Sequence, residues 1–272
     1  MTPQLAVSEL TVRFGGVTAL DGVTFAVEPG QVCGLIGPNG AGKTTLFDCV
    51  SRLTRPRAGR IELAGRDLLA LHPHQVAALG VARTFQHLGL VASLSVRDNV
   101  MLGASGGPGG RRRASGGLGG RADHGRAGFV ASALRLPAVR TEERTLRRRA
   151  DETLDRLGLG PLAAHPAAGL PYGTLKRIEL ARAVAAEPAL LMLDEPASGL
   201  ANGEVDELAG LVEELRRDRD LTVLLVEHHM GMVMRLSDTV VVLDFGRVIA
   251  TGSPAEVRED PAVLEAYLGA AG

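Results

Sequence analysis

Positions 37–45, GPNGAGKTT, concentrate three glycines, a lysine and two threonines in one short run. The spacing is G-x-x-x-x-G-K-T, set between an apolar stretch, QVCGLIG, and a stretch of helical spacing, KTTLFDCVSRL. Those residue types in that order suit the phosphates of a nucleoside triphosphate. Gly37, Gly40 and Gly42 let the backbone curl until successive N–H groups point inward at phosphate oxygens. A helix N-terminus adds partial positive charge at the same place. Lys43 supplies a full charge for the β and γ phosphates, and the Thr44 hydroxyl suits a magnesium ion. Pro38, Asn39, Ala41 and Thr45 complete the loop.

A second feature lies far downstream, where the apolar run ALLMLDEP closes on Asp194 and Glu195. An aspartate at the carboxyl end of a buried strand can reach the metal directly or through water. The glutamate after it points elsewhere and can polarise a water for in-line attack on the γ-phosphate. Directly before this run stands LPYGTLKRIELARAV, a loop with a proline and a glycine that turns into a basic helix.

Around these features, LAVSELTVRF and GVTFAVEPG read as antiparallel strands closed by a Pro-Gly turn, and GRIELAGRDL returns to strand character. QVCGLIG has no polar face, as expected of a strand covered on both sides. The period of Leu46, Val50 and Leu53 predicts a helix after the phosphate loop. The runs ALLMLD and LTVLLVE alternate with helical patterns, which predicts parallel strands in an α/β sheet. TVVVLD runs through a turn into RVIATG as a hairpin. Asp244-Phe245-Gly246 matches the metal-binding tripeptide of protein kinases, but no HRD precedes it and the turn explains it. Between these parts, residues 103–128 are dominated by glycine with interspersed arginines. That segment has too little apolar content to fold alone and is expected to be a flexible loop. It carries no aromatic residue to stack nucleic-acid bases. A basic helix follows in EERTLRRRADETLDRLGL, with Leu146, Leu154 and Leu157 on one period.

Composition narrows the class. The 272 residues are 45% hydrophobic with a net charge of -1, enough for a sizeable core and too little charge to hold nucleic acid or an anionic membrane. The two cysteines, Cys33 and Cys49, form no disulfide framework and read as small buried hydrophobes. No signal peptide is evident and no apolar stretch approaches the roughly 18 residues of a spanning helix, so a soluble, cytoplasmic chain is expected.

A helical insertion between the phosphate loop and the acid pair, with a glycine loop and helix just before that pair, resembles the ABC-type ATPases. The resemblance covers nearly the whole chain. It implies an α/β fold with a RecA-like P-loop core, an antiparallel β subdomain and a helical insertion subdomain. We expect one ABC ATPase domain, its core at 1–86 and 166–272 and its helical subdomain at 87–165. The resemblance implies ATP and Mg²⁺ as cofactors and assigns further residues. Phe14 in VRFGG stands where an aromatic stacks on adenine. Gln86 in RTFQH matches the glutamine that contacts Mg²⁺ and the attacking water. Thr44 and Asp194 join Gln86 as metal ligands, Glu195 is the base, and His228 in VEHHMG matches the switch histidine on the γ-phosphate. Leu170, Pro171, Tyr172, Gly173 and Thr174 occupy the signature loop, which in this family caps ATP bound by a second subunit. SGLAN, residues 198–202, matches the loop that crosses the dimer interface.

Three residues depart from the pattern. Pro171 replaces the signature serine, Tyr172 replaces the first signature glycine, and Ala201 stands where many relatives carry Asp or Asn. Thr174 is positioned to cap the helix or offer a substitute hydroxyl. The forms ARTFQH, YGxxxRxELAR, VEHHMGMVM and the ending GSPAEVREDPAVLEAYLG resemble the ATP subunits of branched-chain (hydrophobic) amino-acid importers. Urea and short-amide importers share that subfamily, and lipopolysaccharide-export ATPases share the soluble architecture. The expected partners are a second ATP-binding subunit, identical or paralogous, in a head-to-tail dimer, two transmembrane permease subunits and an extracytoplasmic substrate-binding protein. No nucleic acid is expected, and the expected location is the cytoplasmic face of the cell membrane.

Overall fold

The computed structural model describes residues 2–84, 88–107 and 137–269. The chain divides into two compact units, residues 1–89 with 189–272, and residues 90–188.

The first unit is built on two sheets. One is antiparallel, in the order β2-β1-β4-β5, from β1 (Leu5–Phe14), β2 (Val17–Val27), β4 (Ala58–Leu63) and β5 (Arg66–Asp67). The other runs β10-β9-β3-β8-β7-β6, from β3 (Val32–Ile36), β6 (Val81–Arg83), β7 (Leu190–Asp194), β8 (Thr222–Val226), β9 (Thr239–Asp244) and β10 (Arg247–Gly252). All its pairings are parallel except β9 with β10. Every residue of β3, β7 and β8 is buried, as their unbroken apolar runs require of strands covered on both faces. The helices of this unit are α1 (Lys43–Val50) and α2 (Pro73–Ala78), then, beyond the second unit, α6 (Asn202–Arg219), α7 (Met230–Leu236), α8 (Pro254–Glu259) and α9 (Pro261–Gly269). The core joins Leu5, Leu20 and Ile61 of the antiparallel sheet to Leu46 and Phe47 of α1 and to Met192 and Leu224 of the parallel sheet. Cys33 and Cys49 lie in this core as free thiols, and burial pushes each up to about 12.

The second unit holds α3 (Val96–Gly106), α4 (Pro137–Arg156) and α5 (Tyr172–Val184). The helix α5 packs on α3 and α4, so this unit extends to residue 188 instead of ending at 165 as the sequence suggested. Gly103 marks the closest approach: a Cβ there would stand 1.9 Å from the Arg182 carbonyl oxygen. Leu154 and Leu157 are buried, the second just beyond the end of α4, and Leu146 is half-buried. Most of the glycine-rich segment lies outside the described residues.

One helix is shorter than its apolar period. The expected stripe through Leu53 stops at Val50, because Arg52 takes a left-handed backbone (φ 62°) and turns Leu53 out to 61% exposure.

Candidate functional site

The phosphate loop leaves β3 at Gly37 and enters α1 at Lys43. Gly37 has φ 147°, and a Cβ there would lie 2.0 Å from the Leu243 carbonyl oxygen, so no larger residue fits this close approach. The far side of the loop is tied to the turn between β9 and β10, where the Gly246 amide donates to the Ala41 carbonyl at 3.0 Å. The Gly246 carbonyl in turn accepts from the Asp21 amide of β2. The turn that carries Asp244-Phe245-Gly246 is thus a clamp on the loop.

Lys43 is 6% exposed, and its ammonium donates to the carbonyls of Gly37 (2.6 Å) and Pro38 (2.9 Å) across the mouth of the loop. Burial lowers its pKa, and the negative charge of Glu195 opposes that shift. The cleft here, about 260 Å³, is lined by Asn39 through Thr45, Ala19, Glu195 and His228. Phe14, at the end of β1, is 53% exposed and is not among those lining residues.

The two acids at the end of β7 differ in environment. Asp194 is buried, and its Oδ2 accepts from Arg83 Nη2 at 2.7 Å. Arg83 also reaches Asp48 of α1 through Nη1 at 2.6 Å and stands 5.4 Å from the centre of the Phe47 ring. The Asp194 amide donates to Thr84 Oγ1. Burial raises the Asp194 pKa, and the Arg83 hydrogen bond and charge pull it back. Among the described residues its Oδ1 is buried without a hydrogen-bond partner. Glu195 has left-handed backbone (φ 49°), uncommon for a residue with a side chain, and its amide donates to the Val226 carbonyl. That turn delivers its Oε1 to His228 Nε2 at 3.0 Å.

Glu227 fixes the histidine from behind. It is 3% exposed, its Oε2 accepts from the His228 and His229 amides at 2.7 and 2.9 Å, and its Oε1 accepts from the Ala197 amide at 2.7 Å. One carboxylate thereby ties the loop after β8 to the loop after β7. Arg83 and Glu227 were not singled out from the sequence. Their signals are weak: a basic residue three before Gln86, and an acid closing an apolar strand.

A magnesium ion has suitable donors here. The Thr44 hydroxyl and the orphaned Asp194 Oδ1 are hard oxygen groups of the type this ion takes. The described residues contain no cluster of three or more His, Cys, Asp or Glu that could hold a metal ion. Two protein donors fit an ion shared with phosphate oxygens and water. Gln86, the third expected ligand, lies outside the described residues.

In the second unit, Pro171 caps α5 with φ −55° and ψ 148° and has no side-chain acceptor to offer its first turn. Thr174, expected as a cap, is the third residue of the helix and plays no such part. Tyr172 is 43% exposed, and Gly173 is buried. Lys176 Nζ lies 5.7 Å from the Tyr172 ring centre. In the first unit, Ala201 caps α6, where its amide donates to Glu204 Oε2 at 3.0 Å.

The family model described as ABC transporter matches residues 20–198. A second, described as branched-chain amino acid ATP-binding cassette transporter, matches residues 247–272. The chain is 39% identical to the high-affinity branched-chain amino acid transport ATP-binding protein BraF of Pseudomonas aeruginosa, over 99% of both chains. It is 38% identical to LivG of Escherichia coli, a protein of the same description, again over 99% of both. Among solved structures, the ADP conformation of MJ1267, an ATP-binding cassette of an ABC transporter, superposes with a TM-score of 0.79 at 28% identity, covering 99% of this chain and 100% of that one.

Proposed function

The chain belongs to the ABC transporter family, and we propose that it is the ATP-hydrolysing subunit of an importer for branched-chain or other hydrophobic amino acids. The observation that carries the catalytic part is one cleft lined by Lys43, Thr44, Glu195 and His228. The cargo is supported by the full-length likeness to BraF and LivG and by the family match at the C-terminus.

Each residue then has a task. The amides of Gly40, Ala41, Gly42 and Lys43 cradle phosphate oxygens, and Lys43 turns its ammonium from the loop carbonyls toward the β and γ phosphates. Phe14 stacks on adenine. Thr44, Asp194 and Gln86 would hold Mg²⁺, which would neutralise charge on the phosphates. Arg83 aims the buried Asp194 through its hydrogen bond and opposes the rise that burial gives its pKa. Glu195 accepts a proton from the attacking water. His228, held through its backbone by Glu227, orients the Glu195 carboxylate and contacts the γ-phosphate.

The loop at 170–174 caps ATP on a second ATP-binding subunit in a head-to-tail dimer, mostly through backbone N–H groups. No helix among the described residues is long and apolar enough to cross a membrane. We assign two permeases and an extracytoplasmic binding protein as partners, with this subunit at the cytoplasmic face.

The test is ATP hydrolysis as a function of protein concentration, for the wild type and Glu195→Gln. Specific activity that rises with concentration and is lost in the variant is expected of a sandwich dimer with Glu195 as base. Glu195→Gln turning over at the wild-type rate would sink the assignment.

A further inference from the structure

The strands β7 and β8 run parallel with Asp194 opposite Val226, so the residues that follow, Glu195 and Glu227, leave the sheet side by side. The two carboxylates then part. Glu195 takes left-handed backbone and lines the cleft with His228. Glu227 turns inward and is buried. A buried carboxylate is costly unless hydrogen bonds replace the water it has lost. Glu227 has three, all from backbone amides. His228 and His229 donate to Oε2 at 2.7 and 2.9 Å, and Ala197 donates to Oε1 at 2.7 Å.

These bonds reach both members of the Glu195–His228 pair from behind. On the histidine side the tie is to His228 itself. On the other side it is to Ala197, two residues past Glu195. The turn between them is pinned at its near end by the Glu195 amide on the Val226 carbonyl at 2.9 Å, and it is closed by the Ser198 amide on the Glu195 carbonyl at 3.2 Å. Glu227 pins its far end. A residue with a side chain stays in left-handed backbone only where its surroundings hold it there, and Glu195 has φ 49°. The 3.0 Å contact between Glu195 Oε1 and His228 Nε2 therefore spans two loops that one buried carboxylate ties together.

We infer that Glu227 is a positioning residue for hydrolysis that acts on the base as well as on the histidine: it holds the strained Glu195 turn against the His228 loop, and so sets the pair. This rests on the ATPase reading above. The plain alternative is that Glu227 only satisfies three buried amides. Both roles contribute to stability. Positioning alone makes the rate of hydrolysis depend on Glu227, and makes that dependence act through the pair.

Glu227→Gln keeps the shape but turns one acceptor oxygen into an N–H₂ donor, so it can serve the amides of one loop and not of both. ATP affinity is measured by calorimetry and turnover by phosphate release, on the full chain and below the thermal midpoint of every variant. Misplacing a reacting group by about 1 Å costs about 10²-fold in rate, so kcat is expected to fall about 10- to 10²-fold with ATP affinity within about twofold. In a His228→Ala background the pair cannot form, and the same substitution is expected to lower kcat at most about threefold. Glu227→Asp keeps an acceptor-only group of shorter reach. It is expected to show the same split, and it decides the question if Glu227→Gln does not fold. An unchanged kcat overturns the inference, as does an equal loss with and without His228. Hydrolysis that survives Glu195→Gln overturns instead the reading on which the inference rests.

Discussion

The loop at 37–45 and the loop at 170–174 both present a helix N-terminus, yet they are held in opposite ways. The first is fixed from several sides. Leu243 closes on Gly37, Gly246 holds Ala41, and Lys43 bridges the mouth. The second has a proline cap with no side-chain acceptor, and the first residue of its helix, Tyr172, is exposed. The first-turn amides of any helix have no partner within it. In the phosphate loop they face a cleft that this chain completes with Lys43, Glu195 and His228. In the loop at 170–174 the cap residue, Pro171, has no side-chain acceptor for them. The contrast is that of a loop tied down within one chain and a helix start left open, which on the proposed reading meets ATP held by a second subunit.

The largest expected effects test the finished site. Lys43→Ala is expected to abolish detectable ATP binding. Glu195→Gln is expected to lower hydrolysis at least about 10²-fold while ATP still binds, since general-base assistance contributes about that much. If Glu195→Gln lost ATP binding as Lys43→Ala does, the separation of binding from base catalysis within this cleft would be wrong.

Next is Arg83, which lies between Asp194 and Asp48 with a side chain 9% exposed. Arg83→Met strands the buried Asp194 and is expected to cost about 3–5 kcal/mol of stability. The pH dependence has a definite sign. Burial already raises the Asp194 pKa, and without Arg83 that shift is unopposed. The folded state then binds more protons than the unfolded chain, so the variant loses stability as pH rises through the raised pKa. Thermal melts at pH 5 and 7 should show the gap to wild type shrinking at the lower pH. A gap that widens on acidification would mean that Asp194 stays ionised without Arg83.

These residues also show what a sequence discloses. The phosphate loop was legible because all its parts lie within nine positions between an apolar strand and a helix. The apolar runs of β3, β7 and β8 announced buried parallel strands for the same local reason. The Arg83–Asp194 pair depends on register, since β6 lies beside β7 with Arg83 opposite Met192. Nothing local announces that pairing. Glu227 was hidden similarly, because its role is to join two loops that meet only when β7 and β8 pair. The helix after the loop was overextended to Leu53 because apolar period does not register a left-handed residue at Arg52. Of the two parts expected of Thr174, the cap is ruled out because the helix starts at Tyr172, one residue after the proline, and leaves Thr174 inside the first turn.

The smallest effect belongs to the open loop and sharpens the comparison most. Pro171→Ser restores a side-chain acceptor at the cap of α5. A serine cap is worth about 1 kcal/mol. Removing the proline frees the unfolded chain and costs about 0.4–1 kcal/mol in return. The two nearly cancel, so the thermal midpoint of the variant should stay within about 2 °C of the wild type. Activity should not stay still. A hydroxyl at this position adds one donor to the amides that face the second subunit's ATP, and one hydrogen bond to a charged group is worth about 1.5–3 kcal/mol at most. ATP-dependent dimerisation of the Glu195→Gln protein, followed by size-exclusion chromatography, should therefore tighten severalfold in the double variant Pro171→Ser, Glu195→Gln. Dimerisation that does not change while stability rises would place the serine in the cap alone, and the loop would not be the part of this chain that meets another subunit's phosphate.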